Sequence, residues 1–364
     1  YMFLVKSNRY LEVESGKVNV YDTQTATEWA LLSSKNMEGF RLADYCEESN
    51  MSIWIGIRNA QQENNVVVAG FDDLKEVHRY TLSTPVLSAH LNFARLILVE
   101  KLKIHIYDVL SGRRLHIIET EPNPRGLALL SENKANCHLV YPLNAEVNGD
   151  VCLFDALRVQ PLRHISAHTS PLSVMVLSSN GALLATASSK GTVVRLFPLP
   201  EGSVLASLRR GLRQAEIRSL WIAPNGTSLL ALSATTEGGT VHIFRTPPTN
   251  GLHSPSASPA SVSGSGQSQS IASYMGISEY LPTAVYSLWE RPRAEVTLHV
   301  TLSPLTAALL EIPPTFSNSH HDPNAPDTAM IAVAATARHI FTAPVPAEAG
   351  GDCSANVRIF KLAT

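Results

Sequence analysis

The chain has 364 residues, of which 45% are hydrophobic and 16% charged, and its formal net charge is −2. This balance argues against a general nucleic-acid binder, whose footprint is a basic excess, and no apolar run approaches the ~18 residues of a membrane-spanning helix. Four scattered cysteines without a Cys-x-x-Cys pair indicate a reducing compartment rather than a zinc site or a disulfide framework. The chain begins at Tyr1 without a signal-peptide pattern, which indicates a trimmed start. Its length predicts either two domains or one modular repeat architecture.

One short pattern recurs along the chain: an apolar residue, any residue, an apolar residue, an aromatic residue and often Asp. In chain order it reads VNVYD, VAGFD, IHIYD, VCLFD, VRLF and VHIF. The aromatic residues of these six copies are Tyr21, Phe71, Tyr107, Phe154, Phe197 and Phe244. They are spaced by 36 to 50 residues, the length of a four-stranded propeller blade. Alternating β-branched residues closed by turn residues indicate strands throughout.

The last third of the chain predicts one further blade and two insertions. RHIF ends at Phe341 and VRIF at Phe360, and we assign them to the third and fourth strands of blade seven. The 247–282 stretch is rich in Ser, Pro and Gly, and the 313–327 stretch is rich in Pro and His. Such compositions bury too little apolar surface to fold, so we expect a flexible loop inside blade six and another near blade seven. The sequence therefore predicts a single all-β domain over 1–364, a seven-bladed β-propeller with four antiparallel strands per blade.

The stretch SLRRGLRQAEIRSL, residues 207–220, concentrates four arginines in a chain of balanced charge. With AHTSPLSVMVLSSNGALLATASSKGTVVRLF before it and GTVHIF after it, this stretch resembles the PROPPIN family, also called WIPI proteins. The resemblance is strong over 81–245, fair over 1–80 and weak after 290. It implies a propeller that binds phosphatidylinositol 3-phosphate and phosphatidylinositol 3,5-bisphosphate through a Phe/Leu-Arg-Arg-Gly motif. It also implies autophagy-related partners and a role at preautophagosomal, endosomal and vacuolar membranes.

The adjacent Arg209 and Arg210 predict two separate anion sites. They lie between strand-rich units, where neighbouring side chains of an extended chain point to opposite sides, and a guanidinium binds phosphate oxygens bidentately. We expect both arginines to be exposed, Arg209 facing back to blade five and Arg210 forward to blade six, with Gly211 allowing a sharp turn after them. Position by position, the resemblance implies a first site of His168, Thr186, Ser188, Thr192 and Arg209. It implies a second site of Arg210, Arg213, Ser233, Thr235, Thr240 and His242.

Two further features bear on these sites. The turn of blade six reads SATTEGGT where the family carries Ser-Asp-Lys-Gly-Thr, so a lysine is missing and Glu237 is present. Of the two predicted sites, the second is therefore the one whose charge is less complete and the first candidate to be weak or absent. The stretch IASYMGISEYLP, which ends the 247–282 loop, is apolar and aromatic, as membrane-inserting segments are; its candidate membrane contacts are Tyr274, Met275, Ile277 and Tyr280. The alternative is that this stretch, from Leu281 onward above all, begins the return strand of blade six.

Less specific interpretations stand beside these. An Arg-rich loop alone is usually a solvated face, and His168 alone is typical of the structural histidine of propeller repeats. Arg195 and Arg218 are candidates for simple ion pairs with Glu201 and Glu216. No motif for catalysis or for a cofactor is present, and SHHDP in the 313–327 stretch lacks further ligands, so we expect no enzyme, cofactor or metal. The competing function is a WD-repeat protein-interaction scaffold without lipid binding. We expect a monomeric cytoplasmic protein bound to membranes only peripherally.

Overall fold

The computed structural model describes residues 2–6, 9–14, 17–22, 31–36, 40–48, 51–58, 65–70, 76–133, 135–223, 228–234, 239–246, 296–300, 306–312, 329–335, 339–345 and 358–361. Within these ranges twenty-eight strands form seven sheets of four. Successive strands of each sheet pair in antiparallel fashion, as in β17 to β20 of the fifth sheet. No helix in the described ranges is long and apolar enough to cross a membrane. The predicted seven blades of four antiparallel strands are confirmed.

The first sixteen strands form blades one to four. Blade one contains β1 (Met2–Lys6), β2 (Arg9–Glu14), β3 (Lys17–Asp22) and β4 (Leu31–Asn36). Blade two contains β5 (Phe40–Glu48), β6 (Met51–Arg58), β7 (Asn65–Gly70) and β8 (Glu76–Thr81). Blade three contains β9 (Ser88–Leu91), β10 (Arg95–Val99), β11 (Lys103–Asp108) and β12 (Arg114–Glu119). Blade four contains β13 (Leu129–Leu130), β14 (His138–Pro142), β15 (Gly149–Asp155) and β16 (Gln160–His168).

The remaining twelve strands form blades five to seven. Blade five contains β17 (Leu172–Leu177), β18 (Leu183–Ser188), β19 (Val193–Pro198) and β20 (Ala206–Arg209). Blade six contains β21 (Glu216–Ile222), β22 (Ser228–Ala234), β23 (Gly239–Arg245) and β24 (Val296–Val300). Blade seven contains β25 (Thr306–Ile312), β26 (Ala329–Ala335), β27 (His339–Val345) and β28 (Arg358–Lys361).

The repeated aromatic residue marks the third strand of its blade. Five of the six copies lie in third strands, as Tyr21, Tyr107, Phe154, Phe197 and Phe244; Phe71 lies outside the described residues. The assignment of RHIF and VRIF to the third and fourth strands of blade seven is confirmed, because they fall in β27 and β28. The pattern therefore reports blade register as well as blade number.

The two predicted insertions lie outside the described residues. The 247–282 stretch falls between β23 and β24, the third and fourth strands of blade six, and the 313–327 stretch falls between β25 and β26 of blade seven. The return strand that the structure describes in blade six is β24, which begins at Val296. Tyr274, Met275, Ile277 and Tyr280 all lie outside the described residues, so their role stays a prediction.

Apolar layers between blades form the core. Both faces of a blade are covered by its neighbours, so β10 and β18 are buried at every position, as in strands packed on both faces. The layer between blades four and five includes Ile165, Leu184 and Phe197. The layer between blades five and six includes Leu208 and Ile217. Side chains alternate between the two faces of a strand. The apolar residues in each layer therefore show which face a neighbouring polar residue of blade five occupies.

Candidate functional site

The arginine doublet lies at the end of the fourth strand of blade five. Arg209 is the last residue of β20 and pairs with Val193 of β19. Its neighbour Leu208 packs in the layer between blades five and six, so alternation directs Arg209 to the other face, toward blade four. Arg210 follows the end of the strand, where alternation no longer applies, so the expected direction of its side chain toward blade six stays a prediction.

The expected exposure of the doublet is wrong for Arg209. Its side chain is only 4% exposed, whereas Arg210 is half-buried. The reason is that Arg209 lies on a sheet face that the neighbouring blade covers, rather than on a free rim. A substitution at this position consequently perturbs packing as well as charge.

The residues predicted for the first site share the blade-five face that is turned toward blade four. Thr186 and Ser188 alternate with Ala185 and Ala187, which pack in the opposite layer between blades five and six. Thr186 is fully buried, and Ser188 is buried beside it on β18. Together with Arg209 they place hydroxyl groups and a guanidinium on one face.

His168 reaches this face from blade four. It ends β16, and its Nε2 lies 3.0 Å from Thr186 Oγ1 and 3.2 Å from Thr186 O. With the proton on Nε2 the imidazole donates to these oxygens. Burial first, and the nearby positive charge of Arg195 second, lower the pKa of His168 to about 4. The imidazole is therefore neutral at pH 7.

Arg195 is a residue of this face that the sequence analysis offered as an ion-pair partner of Glu201 rather than as part of the first site. It lies on β19 directly opposite Thr186, and its guanidinium donates to the carbonyl of Ala167 in blade four. A signal for it existed: Arg195 stands two residues before the third-strand aromatic Phe197, as His242 stands two before Phe244. The matching position in blade six had been assigned to a site.

The chain after the doublet folds back onto the turn between β18 and β19. The amides of Arg210 and Gly211 donate to Thr192 O at 3.0 and 3.3 Å, and Arg210 Nε donates to Gly191 O at 2.7 Å. Ala215 N donates to Lys190 O at 3.3 Å. We call residues 210–215, held in this way on the 189–192 turn, the clasp. The clasp joins the first-site residue Thr192 to the second-site residue Arg210.

Gly191 is the glycine that the clasp requires. Its φ is +59°, and a Cβ at this position would lie 1.8 Å from Ala215 O, so only glycine permits the approach. The expected role of Gly211 is wrong: its φ lies outside the left-handed region, and a Cβ there would meet nothing within 4 Å. The chain instead bends at Leu212 and Arg213.

The residues described from the second site share the blade-six face that is turned toward blade five. Ser233 pairs with Thr240, and Ala231 pairs with His242. Ala231 packs in the layer between blades five and six, so alternation places Ser233, Thr240 and His242 on that face as well. Ser233 and His242 are buried, and Ser233 Oγ donates to Thr240 O at 3.3 Å.

The two arginines of the second site lie in the clasp. Arg213 is exposed, and the Arg210 guanidinium donates to Arg213 O as well as to Gly191 O. Burial lowers the pKa of Arg210, because it removes a cation from water. Thr235 lies outside the described residues. The structure thus describes more of the first set of side chains than of the second.

The strand order and register define the class of this protein as a seven-bladed β-propeller. The sequence profile of the PROPPIN family matches residues 45–355. The chain belongs to the PROPPIN family.

Individual relatives agree with this membership. Autophagy-related protein 18 of Neosartorya fischeri is 37% identical over 215 residues, which cover 53% of this chain and 49% of that protein. WD repeat domain phosphoinositide-interacting protein 2 of Gallus gallus is 34% identical over 248 residues, which cover 68% of this chain and 54% of that protein. The chain spans about half the length of the curated relatives it matches.

Solved structures share the fold at low sequence identity. Kluyveromyces lactis Hsv2 matches with a TM-score of 0.63 at 14% identity, covering 98% of this chain and 94% of that chain. The complex of KlAtg21 with the coiled-coil of AgAtg16 matches with a TM-score of 0.64 at 17% identity, covering 98% and 96%. These likenesses support the propeller architecture.

Proposed function

We propose that this protein binds the headgroups of phosphatidylinositol 3-phosphate and phosphatidylinositol 3,5-bisphosphate at two sites, one on each side of blade five. The observation that supports the proposal is the different setting of the two arginines: Arg209 is buried on the face toward blade four, whereas Arg210 is half-buried in the clasp. The first site uses His168, Thr186, Ser188, Thr192 and Arg209. The second uses Arg210, Arg213, Ser233, Thr235, Thr240 and His242.

The chemistry of both sets suits a phosphorylated inositol. A guanidinium forms paired, charge-assisted hydrogen bonds to phosphate oxygens, while hydroxyl and imidazole groups donate to phosphate and inositol oxygens without added bulk. Each charge-assisted hydrogen bond contributes ~1.5–3 kcal/mol. We expect a single site to bind in the micromolar range, and two sites on one membrane to gain strength through effective concentration.

The cellular setting of the proposal is autophagy. Relatives carry the names "Autophagy-related protein 18" and "WD repeat domain phosphoinositide-interacting protein 2", which supports a cytoplasmic protein recruited peripherally to preautophagosomal, endosomal and vacuolar membranes. A related fold was solved with the coiled-coil of AgAtg16, which supports autophagy proteins as partners. Binding, rather than catalysis, is the proposed activity, and scaffolding without lipid is the competing one.

The segment 271–282 is proposed to strengthen membrane attachment by inserting Tyr274, Met275, Ile277 and Tyr280 into the bilayer surface. Replacing Met275 and Ile277 together by Asp should weaken binding to vesicles about tenfold or more, because apolar side chains lose the burial they gain at the interface. Affinity for the soluble headgroup should stay unchanged. If both affinities fall together, the segment is structural.

The deciding experiment is vesicle sedimentation of the double variant Arg209→Gln, Arg210→Gln. We expect binding to vesicles that carry phosphatidylinositol 3-phosphate to fall at least about 100-fold, since charge-assisted bonds are lost at both sites. Arg218→Gln is the matched control, because Arg218 pairs with Glu216 at 3.8 Å on the strand that follows the clasp. Thermal unfolding must accompany the assay, as Arg209 is buried. If the double variant is folded and sediments like the parent, the lipid-binding proposal is contradicted and the scaffold function is favoured.

A further inference from the structure

Leu212 is the most exposed large apolar side chain in the described part of the chain, at 73%. Water contact of this extent is unfavourable for a leucine, and single exposed leucines are common on protein surfaces. Its surroundings distinguish it from them. Leu212 follows Gly211 in the clasp, two residues after Arg210 and one before the exposed Arg213.

Hydrogen bonds hold both sides of Leu212. Arg210 N and Gly211 N donate to Thr192 O before it, and Ala215 N donates to Lys190 O after it. The Arg210 guanidinium donates to Arg213 O and so closes the bend across Leu212. The leucine is thus presented on an anchored bend.

The charge around Leu212 is positive. Arg210 and Arg213 flank it, and Lys190 is exposed in the turn to which the clasp is bonded. No acidic residue occurs between Ser207 and Ala215, and the acidic residue that follows, Glu216, pairs with Arg218 at 3.8 Å. Cations around an exposed apolar tip fit a surface that is anionic outside and apolar beneath, which is the interface of an anionic bilayer.

We propose that Leu212 is a fixed apolar contact with the lipid surface, which enters the bilayer interface while the neighbouring arginines hold phosphorylated headgroups. The inference rests on the proposed function and deepens it. Consecutive Cα atoms are ~3.8 Å apart, so Leu212 lies within about 8 Å of Arg210 along the chain. A bilayer whose headgroup reaches Arg210 therefore meets Leu212, whereas a soluble headgroup has no apolar part to meet it.

The test compares two leucines of nearly equal exposure. Leu110 is 71% exposed and lies in the turn between β11 and β12. This turn follows the end of the third strand of blade three, whereas the clasp lies beside the start of the third strand of blade five, so the two leucines lie at opposite ends of their blades' third strands. Leu212→Ser should weaken sedimentation with vesicles of phosphatidylcholine and phosphatidylinositol 3-phosphate about fivefold, because partial burial of a leucine is lost. Leu110→Ser should leave it unchanged. Leu212→Trp should strengthen it, since tryptophan favours the interface.

Titration with inositol 1,3-bisphosphate separates the outcomes. We expect the parent and Leu212→Ser to bind this soluble headgroup equally. If Leu212→Ser sediments with vesicles as the parent does, the inference is overturned. A protein partner is then the alternative occupant of the surface around Leu212. Equal losses for vesicle and headgroup overturn it too, because Leu212 then supports the headgroup sites. A parent that binds neither vesicle nor headgroup overturns the proposed function, and the inference with it.

Discussion

The two faces of blade five carry different kinds of polar surface. On the face toward blade four, Thr186, Ser188 and Arg209 are buried, and His168 closes over them from the neighbouring blade. Arg210, beyond the end of β20, is half-buried, and its guanidinium donates to Gly191 O of the 189–192 turn and to Arg213 O of the clasp. One sequence motif thus supplies an enclosed cation and a more accessible one.

The difference bears on the two proposed headgroup sites. His168 and Thr186 bond one another across the interface of blades four and five, and buried polar groups bonded in this way have fixed positions, so the packing of these blades would preorganise the proposed first site. The position of Arg210 depends instead on the clasp, and hence on a single turn of blade five. Changes in the interblade layer should therefore affect the first site most, and changes in the turn should affect the second site most.

The largest effect is expected from Gly191→Ala. An Ala side chain would meet Ala215 O at 1.8 Å in a backbone with φ of +59°, and a strained backbone of this kind costs ~1–3 kcal/mol before the clasp has to move. We expect a lower unfolding midpoint and loss of the second site, with a smaller loss at the first. Headgroup calorimetry and thermal unfolding measure both effects.

Gly211→Ala is the matched control for that prediction. A Cβ at Gly211 meets nothing within 4 Å, so stability and headgroup binding should match the parent. If the two glycine variants have equal unfolding midpoints and headgroup affinities, the claim that the clasp requires glycine at position 191 is contradicted.

A smaller effect, confined to the first face, is expected from pH. The folded-state pKa of His168 is lowered from 6.5 to about 4, so the unfolded chain binds the proton more readily between these values. The contribution of His168 to stability is then complete above pH 6.5 and is lost as the pH falls toward 4, a change of ~3 kcal/mol in the free energy of unfolding.

Urea unfolding of the parent and of His168→Asn at pH 7 and pH 4.5 isolates this contribution. The parent should lose more stability than the variant over this range. Parallel losses would show that His168 titrates normally and that the first face is open to water.

The smallest effect is expected from Arg195→Gln. This change removes a positive charge opposite Thr186 while keeping a donor for Ala167 O. Headgroup binding at the first site should weaken about tenfold, because a charge-assisted hydrogen bond from Arg195 to the phosphate is lost. The second site should be unchanged. The pKa of His168 should rise, because the charge of Arg195 is one cause of its lowering. Headgroup calorimetry and NMR titration of His168 provide the two readouts, and a normal first site with an unshifted His168 would exclude Arg195 from it.

Much of the fold follows from a local pattern. The recurrent aromatic residue, together with the RHIF and VRIF strands of the last blade, predicted seven blades, because its five described copies all lie in third strands, as Phe154, Phe197 and Phe244 do. The direction of Arg209 toward blade four likewise follows from side-chain alternation, a local property of an extended chain, whereas the direction of Arg210 stays a prediction.

The features that the sequence analysis missed depend on contacts between distant residues. The burial of Arg209 is set by the depth to which a neighbouring blade covers its face, and alternation carries no such information. Arg195 bonds to Ala167, 28 residues earlier. Glycine is needed at position 191 because Ala215, 24 residues later in the clasp, approaches it closely. The expected role of Gly211 rested on its place in the Arg-Arg-Gly motif alone.

Calorimetric titration with the soluble headgroup inositol 1,3-bisphosphate tests the central claim most directly, because it counts sites without a membrane. The account predicts a stoichiometry near two for the parent and near one for Arg209→Gln and Arg210→Gln alone, with thermal unfolding confirming that each variant is folded. Arg195→Gln should weaken the site that remains in Arg210→Gln and leave unchanged the site that remains in Arg209→Gln. A parent stoichiometry near one, or single variants that remove the same site, would contradict the division of the doublet between the two faces of blade five.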